Sequence, residues 1–356
     1  MSLSIGIVGL PNVGKSTLFK AITKKNVEAS NFPFCTIEPN VGIVNVPDER
    51  LEKLADISKS AKTVPAAVKF VDIAGLVKDA HKGEGLGNKF LANIREVDAI
   101  CHIVRGFSDP NVTHVSGEVN PKSDLEVINL ELIFSDMSVV AKRLESIKKE
   151  MRSGQNKEAL LINAVLEKVM NVLEEGHLAT DAELNDEEKF LIKELNLLTL
   201  KPILYVVNVD ESETKTWKEL QVGNSPVLSI SAKIEAELAD LSPDDAQIYM
   251  KELGISQSGL DKLIVASYKL LGFLTFFTSG EPETRAWTVV NGAKAPKAAG
   301  AIHSDFEEKF IRAEVVAYDD FIAYNGWNGA KEKGVMRLEG KDYVVHDGDV
   351  MFFRHG

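Results

Sequence analysis

A glycine-rich phosphate-binding motif near the N-terminus constrains the fold more than any other feature. Residues 9–16 read GLPNVGKS and match the pattern GxxxxGK[S/T] between a strand-like apolar run and a helix-like run. In this pattern the glycines let main-chain N–H groups face phosphates, and the N-terminus of the following helix adds positive potential. Lys15 would reach the outer phosphates, and Ser16 would supply a magnesium ligand. The motif predicts a nucleoside triphosphate site in a strand–loop–helix unit.

Length and charge limit the classes of protein that remain. A chain of 356 residues exceeds what one hydrophobic core usually supports, so two or three domains are expected. The sequence shows no bilayer-length apolar run and no secretory signal pattern, so we expect a cytoplasmic protein with no membrane partner. The formal net charge of −12 argues against bulk electrostatic binding of nucleic acid. We therefore expect no DNA partner, and any RNA contact must be local.

Alternating apolar runs indicate an α/β domain with a mainly parallel sheet. The strand-like runs are residues 5–9, 68–73, 99–104, 203–209 and 227–230. They assign residues 1–123 and 201–271 to a nucleotide-binding domain.

Residues 124–200 have a different pattern, with leucine, isoleucine and valine at helical spacings among lysine and glutamate. The pattern predicts antiparallel helices inserted into the nucleotide domain, with a turn at residues 153–156. The hairpin could project as an interaction arm or lie as a layer on the sheet; its alternating-sign charge favours solvent exposure but does not decide between the two readings.

The composition changes near Gly272, where we place a small C-terminal domain, residues 272–356. Short aromatic and β-branched runs between Gly, Asn and Asp turns predict a β-rich domain with little helix, and residues 292–301 read as a mobile loop. Ten Lys and Arg against thirteen Asp and Glu make this region slightly acidic. A local RNA-facing patch and a merely solvated surface are the two readings of its basic residues Lys294, Lys297, Lys309 and Arg312.

A second nucleotide motif, Asp72-Ile73-Ala74-Gly75, closes a strand-like run downstream of the phosphate loop. In this position Asp72 would lie on the magnesium side and Gly75 would sense the γ-phosphate. Thr36, between the two motifs, is the candidate switch threonine on magnesium, with a surface threonine as the alternative. Leu76 follows the motif where many regulatory GTPases carry a glutamine that orients water, so hydrolysis must be slow or the water must be oriented otherwise.

Base recognition is predicted at Asn208-Val209-Asp210-Glu211, where guanine-specific relatives carry Asn-Lys-x-Asp. Val209 offers no lysine stem, and Glu211 is longer than the aspartate that accepts hydrogen bonds from guanine. A site without that carboxylate has no basis for excluding adenine, so we predict ATP over GTP. Asp210 could read guanine instead if the loop were shifted. The backbone of Ser231-Ala232-Lys233 would line the purine.

With these motifs in order, the chain resembles the Obg-like ATPase (YchF) family over essentially its whole length. The resemblance rests on residues 9–16, 72–76 and 83–88, on Asn208 with Glu211, and on residues 231–233. It implies an ATPase with a P-loop G-domain fold, a coiled-coil-like helical arm, a small C-terminal TGS domain of the β-rich α+β class and association with ribosomes.

The resemblance also implies roles for three residues around the phosphates. Asn12 occupies the position of an asparagine that holds a potassium ion in potassium-stimulated relatives. His114 matches a histidine considered for catalysis, although a solvent-exposed loop histidine explains it as well. Phe107 matches an aromatic that faces the nucleotide, or else anchors its loop. Asp79 and His81 depart from the Gly and Ser that the family more often has in the switch loop.

Together these observations give three sets of candidate residues. The catalytic set is Lys15, Thr36, Gly75 and His114. The magnesium set is Ser16, Thr36 and Asp72. The nucleotide-binding set is Asn12, Val13, Gly14, Lys15, Ser16, Thr17, Phe107, Asn208, Val209, Glu211, Ser231, Ala232 and Lys233.

The hypothesis that these residues support best is a ribosome-associated switch that binds and slowly hydrolyses ATP with Mg²⁺, stimulated by K⁺. A GTPase of the same architecture differs from it in base preference alone. An RNA or protein adaptor that uses nucleotide only for stability differs in having no turnover.

Overall fold

The computed structural model describes residues 3–25, 40–73, 87–113, 119–153, 157–211, 222 and 225–356. Within these residues the strands are β1 (Ser4–Val8), β2 (Val41–Asn45), β3 (Thr63–Val64), β4 (Ala67–Asp72), β5 (Ala99–Arg105), β6 (Ile203–Asn208), β7 (Val227–Ile230), β8 (Phe273–Ser279), β9 (Thr284–Val290), β10 (Phe310–Ala317), β11 (Arg337–Glu339) and β12 (Asp349–His355). The α-helices are α1 (Lys15–Lys24), α2 (Glu49–Ser58), α3 (Asn88–Glu96), α4 (Pro121–Ser153), α5 (Lys157–Glu174), α6 (Asp186–Leu191), α7 (Ala232–Leu238), α8 (Pro243–Glu252), α9 (Gly259–Leu270), α10 (Ala295–Ile302), α11 (Ser304–Glu308), α12 (Tyr318–Ala323) and α13 (Trp327–Glu332). The strands make two six-stranded sheets.

The first sheet has the strand order β2-β4-β1-β5-β6-β7, and all its neighbours are parallel except β2 and β4. Every residue of β1, β5 and β6 is buried, as expected for strands covered by helices on both faces. The predicted α/β class with a mainly parallel sheet is confirmed. The antiparallel edge strand β2 was not predicted, because its five residues follow a stretch rich in turn formers.

The second sheet has the order β11-β10-β12-β8-β9-β3 and contains the five C-terminal strands β8 to β12. The expectation of little helix in this region was wrong, because four helices, α10 to α13, lie between its strands. Residues 295–302 form α10 instead of the expected mobile loop, and Ala295, Ala298 and Ala299 are fully buried on one face of it. Small side chains at helical spacing allow this close packing. The run at 343–345 makes only an isolated bridge through Val344.

Residues 46–66, between β2 and β4, leave the first sheet and join the second. Strand β3 pairs with β9 in parallel, with Thr63 opposite Thr284. Four hydroxyl groups connect the end of α2 to β8 and β9 through mutual contacts of 2.7 Å; they belong to Ser58, Ser60, Ser279 and Thr284. The Arg50 guanidinium bridges Asp48 and Asp347, each at 2.7 Å. The apolar pattern of the sequence did not predict that residues 46–66 join the second sheet.

One end of the helical insertion lies on the first sheet, and the rest has a core of its own. The first turns of α4 pack on the first sheet, since Leu125, Ile128 and Leu132 belong to its core. Farther along, α4 and α5 share a separate core, to which α4 contributes Val140 and Ile147 and α5 contributes Val169 and Leu173. Within the described residues no helix, α4 included, has an apolar stretch long enough to span a bilayer.

Candidate nucleotide-binding site

The phosphate loop connects β1 to α1 and depends on two glycines. Gly9 and Gly14 both have positive φ, +152° and +96°. A Cβ on Gly9 would lie 2.3 Å from the Ile103 carbonyl oxygen, and one on Gly14 would lie 2.3 Å from the Asn208 amide nitrogen. Because main chain and a buried side chain approach so closely, only glycine fits at either position. Glycines at these two positions are what a phosphate loop requires for its main-chain N–H groups to face phosphates.

Lys15 begins α1, and its side chain folds back over the loop. Its ammonium group donates to the Leu10 carbonyl oxygen at 2.5 Å, and the residue is only 8% exposed. Burial lowers the pKa of Lys15 to about 8, an effect that the Asp72 carboxylate opposes. The next two residues, Ser16 and Thr17, are exposed at the helix N-terminus. The arrangement presents one cation and two hydroxyl groups on the side where phosphates would bind.

Asp72 ends β4, beside the phosphate loop. The parallel register places it opposite Ile7 of β1, and it is buried. A carboxylate and a serine hydroxyl are the hard oxygen ligands that Mg²⁺ prefers, so Ser16 and Asp72 fit a magnesium site. Thr36, Gly75, Leu76, Asp79 and His81, like His114 in the later loop, lie outside the described residues.

Asn208, the last residue of β6, joins the phosphate loop to the base-side loop. Its amide nitrogen donates to the Val13 carbonyl oxygen at 3.0 Å, and its amide oxygen accepts from the Ala232 N–H at 2.9 Å. Asn208 is buried, as is Val13. One side chain thus holds two loops that come from distant parts of the sequence.

The remaining base-side residues occupy different environments. Val209 is buried in the core below the site, whereas Glu211 is half exposed. The Glu211 carboxylate pairs with the Lys233 ammonium at 2.5 Å, which raises the pKa of Lys233. Ser231 caps α7, accepting weakly from the Ile234 N–H at 3.5 Å. The Asp210 carboxylate accepts from the Ser108 N–H at 3.1 Å, so it is already engaged.

The loop after β5 contacts both halves of the site. At its far end, the Thr113 carbonyl oxygen accepts from the Asn12 amide at 3.2 Å. Phe107 is half buried, with its ring 4.4 Å from the guanidinium carbon of Arg105. Sequence reasoning missed Arg105. The available signal was an arginine at the end of an otherwise apolar strand, where a buried charge requires hydrogen-bonding partners.

Comparisons with known proteins point to one family. A family model described as "50S ribosome-binding GTPase" matches residues 4–142. A second model, YchF-GTPase_C, described as "Protein of unknown function (DUF933)", matches residues 273–356.

Two curated relatives illustrate the similarity over the full length. The "Ribosome-binding ATPase YchF" of Bacillus subtilis (strain 168) is 55% identical over 364 residues, covering 99% of each chain. The protein of the same description from Escherichia coli O157:H7 is 51% identical over 360 residues, again covering 99% of each. Among solved structures, the Schizosaccharomyces pombe YchF GTPase aligns with a TM-score of 0.90 at 38% identity, covering 99% of this chain and 98% of that one.

The Asn208 contacts lead to a first prediction. In Asn208→Asp the side chain can still accept from Ala232 but can no longer donate to Val13, and a carboxylate oxygen would face that carbonyl. We expect at least tenfold weaker nucleotide binding, because the phosphate loop loses its link to the base-side loop. Titration with fluorescent ATP and GTP analogues measures the effect, with the exposed Asn171→Asp as the matched control. Unchanged affinity for both nucleotides would show that the link does not matter for binding.

Proposed function

Because the chain belongs to the YchF family, we propose that it is a cytoplasmic, ribosome-binding ATPase whose bound nucleotide controls its affinity for the ribosome. The observation that carries the proposal is the combination of a complete phosphate loop with an altered base motif, joined through Asn208. We further propose a nucleotide domain, residues 1–123 and 201–271, a helical arm, residues 124–200, and a C-terminal domain, residues 272–356.

Each side chain on the phosphate side has a role in this proposal. Lys15 would contact the outer phosphates by moving its hydrogen bond from Leu10 to a phosphate oxygen, and the negative charge of the phosphates would raise the pKa of Lys15 again. Ser16 and Asp72, with Thr36, would hold Mg²⁺, which neutralises phosphate charge when bound. Gly75 would sense the γ-phosphate, and His114 is the proposed catalytic histidine. Turnover would be slow, since Leu76 cannot orient water.

The preference for ATP follows from the charges on the base side. The Glu211 carboxylate is paired with Lys233, so it is a poorer acceptor for the two donors of guanine. One oxygen of the Asp210 carboxylate accepts from the Ser108 N–H, which holds this side chain toward the loop after β5. Neither carboxylate is therefore presented to guanine in the way that an unpaired aspartate would be. Adenine, which has an acceptor at N1, does not need such a partner.

Nucleotide competition tests this preference. We expect ATP to displace a fluorescent nucleotide from the nucleotide-free protein at least tenfold more effectively than GTP, a difference of about 1.4 kcal/mol. The titration is repeated with Asp210→Asn, which removes the carboxylate that could read guanine after a loop shift. The opposite outcome is that GTP displaces the fluorescent nucleotide from the native chain more effectively than ATP. If that difference disappears in Asp210→Asn, Asp210 reads guanine and the protein is a GTPase.

Potassium stimulation is the second part of the proposal. Asn12 has a left-handed conformation, φ 62°, and its amide nitrogen donates to Thr113. A cation would therefore contact its amide oxygen. We expect faster ATP turnover in K⁺ than in Na⁺ at equal ionic strength, and loss of this difference in Asn12→Ala but not in Asn171→Ala. Equal turnover of the native chain in both salts would contradict the role.

Ribosome binding is the third part. We expect the protein to cosediment with ribosomes to a different extent with a non-hydrolysable ATP analogue than with ADP. Lys294, Lys297 and Lys309 already pair with Asp342, Glu307 and Asp305. Because those pairs favour a solvated surface, replacing the three lysines and Arg312 by glutamine should leave cosedimentation unchanged. A marked fall would instead identify a local RNA contact, and absence of cosedimentation by the native chain would contradict the proposal itself.

A further inference from the structure

Arg105 is a buried cation next to the nucleotide site. It is the last residue of β5 and only 2% exposed. No carboxylate pairs with it within the part of the chain that the structure describes. A guanidinium stays protonated in proteins, so its positive charge must be stabilised by other groups. An apolar side chain of similar volume would occupy this position without that desolvation cost.

Main-chain carbonyl groups of the following loop supply the stabilisation. Nε donates to the Phe107 oxygen at 3.1 Å, Nη2 to the Asp109 oxygen at 3.2 Å and Nη1 to the Val112 oxygen at 2.9 Å. The loop is therefore wrapped around the guanidinium, with the Phe107 ring 4.4 Å from its central carbon. Lysine could not reproduce these contacts, because an ammonium group lacks the planar fork that spans three acceptors.

The loop that Arg105 holds connects the two halves of the site. On the base side, the Gly106 N–H donates to the Asn208 carbonyl oxygen at 2.8 Å, and the Ser108 N–H donates to Asp210. On the phosphate side, the Thr113 carbonyl accepts from Asn12. Any change in loop conformation would therefore displace groups on both sides.

We propose that Arg105 is a positioning residue for nucleotide binding and turnover. It fixes the conformation of residues 106–113, and through this loop it sets the positions of Phe107 against the base and Asn12 against the phosphates. The inference rests on the proposed function, because it assigns Phe107 and Asn12 to nucleotide contacts. It adds a residue that touches neither nucleotide nor metal and acts through main-chain carbonyl groups.

Two variants test the proposal against a matched control. Arg105→Met keeps the approximate volume and removes the donors, and Arg105→Lys keeps the charge without the fork. The control is Arg285→Met in the second sheet, where the guanidinium also lies over an aromatic ring, 4.3 Å from Trp287. We expect ATP affinity to fall at least tenfold in both Arg105 variants and to stay within twofold of native in the control.

A double-mutant cycle separates positioning from a general loss of stability. If Arg105 acts through Asn12, then Asn12→Ala should weaken ATP binding clearly in the native background and by less than twofold in Arg105→Met. Addition of methylguanidinium to Arg105→Ala should restore part of the lost affinity, because the small cation can occupy the vacated space. Native-like ATP affinity in Arg105→Met would overturn the proposal. The proposal would also be overturned if the losses of ATP affinity caused by Asn12→Ala and Arg105→Met multiplied in full in the double variant.

The experiment also separates this inference from the proposed function. Affinity is measured for ATP and GTP in parallel, and the cycle uses whichever nucleotide the native chain binds more tightly. A native chain that prefers GTP contradicts the ATPase proposal while the coupling between Arg105 and Asn12 is still measured. If circular dichroism shows that Arg105→Met is unfolded, the positioning role of Arg105 is tested by Arg105→Lys and by methylguanidinium rescue of Arg105→Ala. In that case the proposal is overturned if Arg105→Lys binds ATP as tightly as the native chain and methylguanidinium does not restore affinity to Arg105→Ala.

Discussion

The register of the parallel sheet is the constraint on which the site depends. Pairing of β1 with β4 sets Ile7 opposite Asp72, and pairing of β5 with β6 sets Arg105 opposite Asn208. Asp72, Arg105 and Asn208 are each the last residue of a strand, so their side chains lie at the same end of the sheet, next to the loops. A slip of one residue would turn each of these side chains to the opposite face of the sheet. Burial of β1, β5 and β6 on both faces makes such a slip costly.

The second constraint is that the path from β2 to β4 runs through the other sheet. Residues 46–66 carry α2 and β3, and β3 pairs with β9 before β4 leads back to Asp72. The Arg50 bridge to Asp347 and the hydroxyl cluster at Thr284 anchor this excursion at both ends. A displacement of β2 or β4 relative to β1 would therefore strain contacts in the second sheet. The two sheets are therefore connected by partly buried hydroxyl contacts and by an exposed ion pair.

The sequence predicted the first sheet and its motifs because both leave local signals, such as Gly14-Lys15-Ser16 and the buried strand runs. The family resemblance was confirmed by relatives over the full length. Strand β3 could not be predicted, since two residues carry no periodicity and their partner Thr284 is distant in sequence. Helix α10 was misread because its bias toward alanine and lysine was taken as the composition of a mobile loop, whereas burial of its alanines depends on the sheet beneath. Arg105 was missed because its partners are main-chain atoms, which have no sequence signature.

Hydrogen bonds from polar side chains hold the loops of the site in place, as main-chain hydrogen bonds hold the strands of the sheet. Lys15, Arg105 and Asn208 each donate to loop carbonyl groups that have no strand partner. The group that links the loops is therefore distinct from the groups that would read the base. Asn208 is the first residue of its motif and hydrogen-bonds to main-chain groups of both loops, whereas Glu211 is the fourth and faces Lys233. Because of this separation, residues at the second and fourth positions of the motif can change without loss of the hydrogen bonds that join the phosphate loop to the base-side loop.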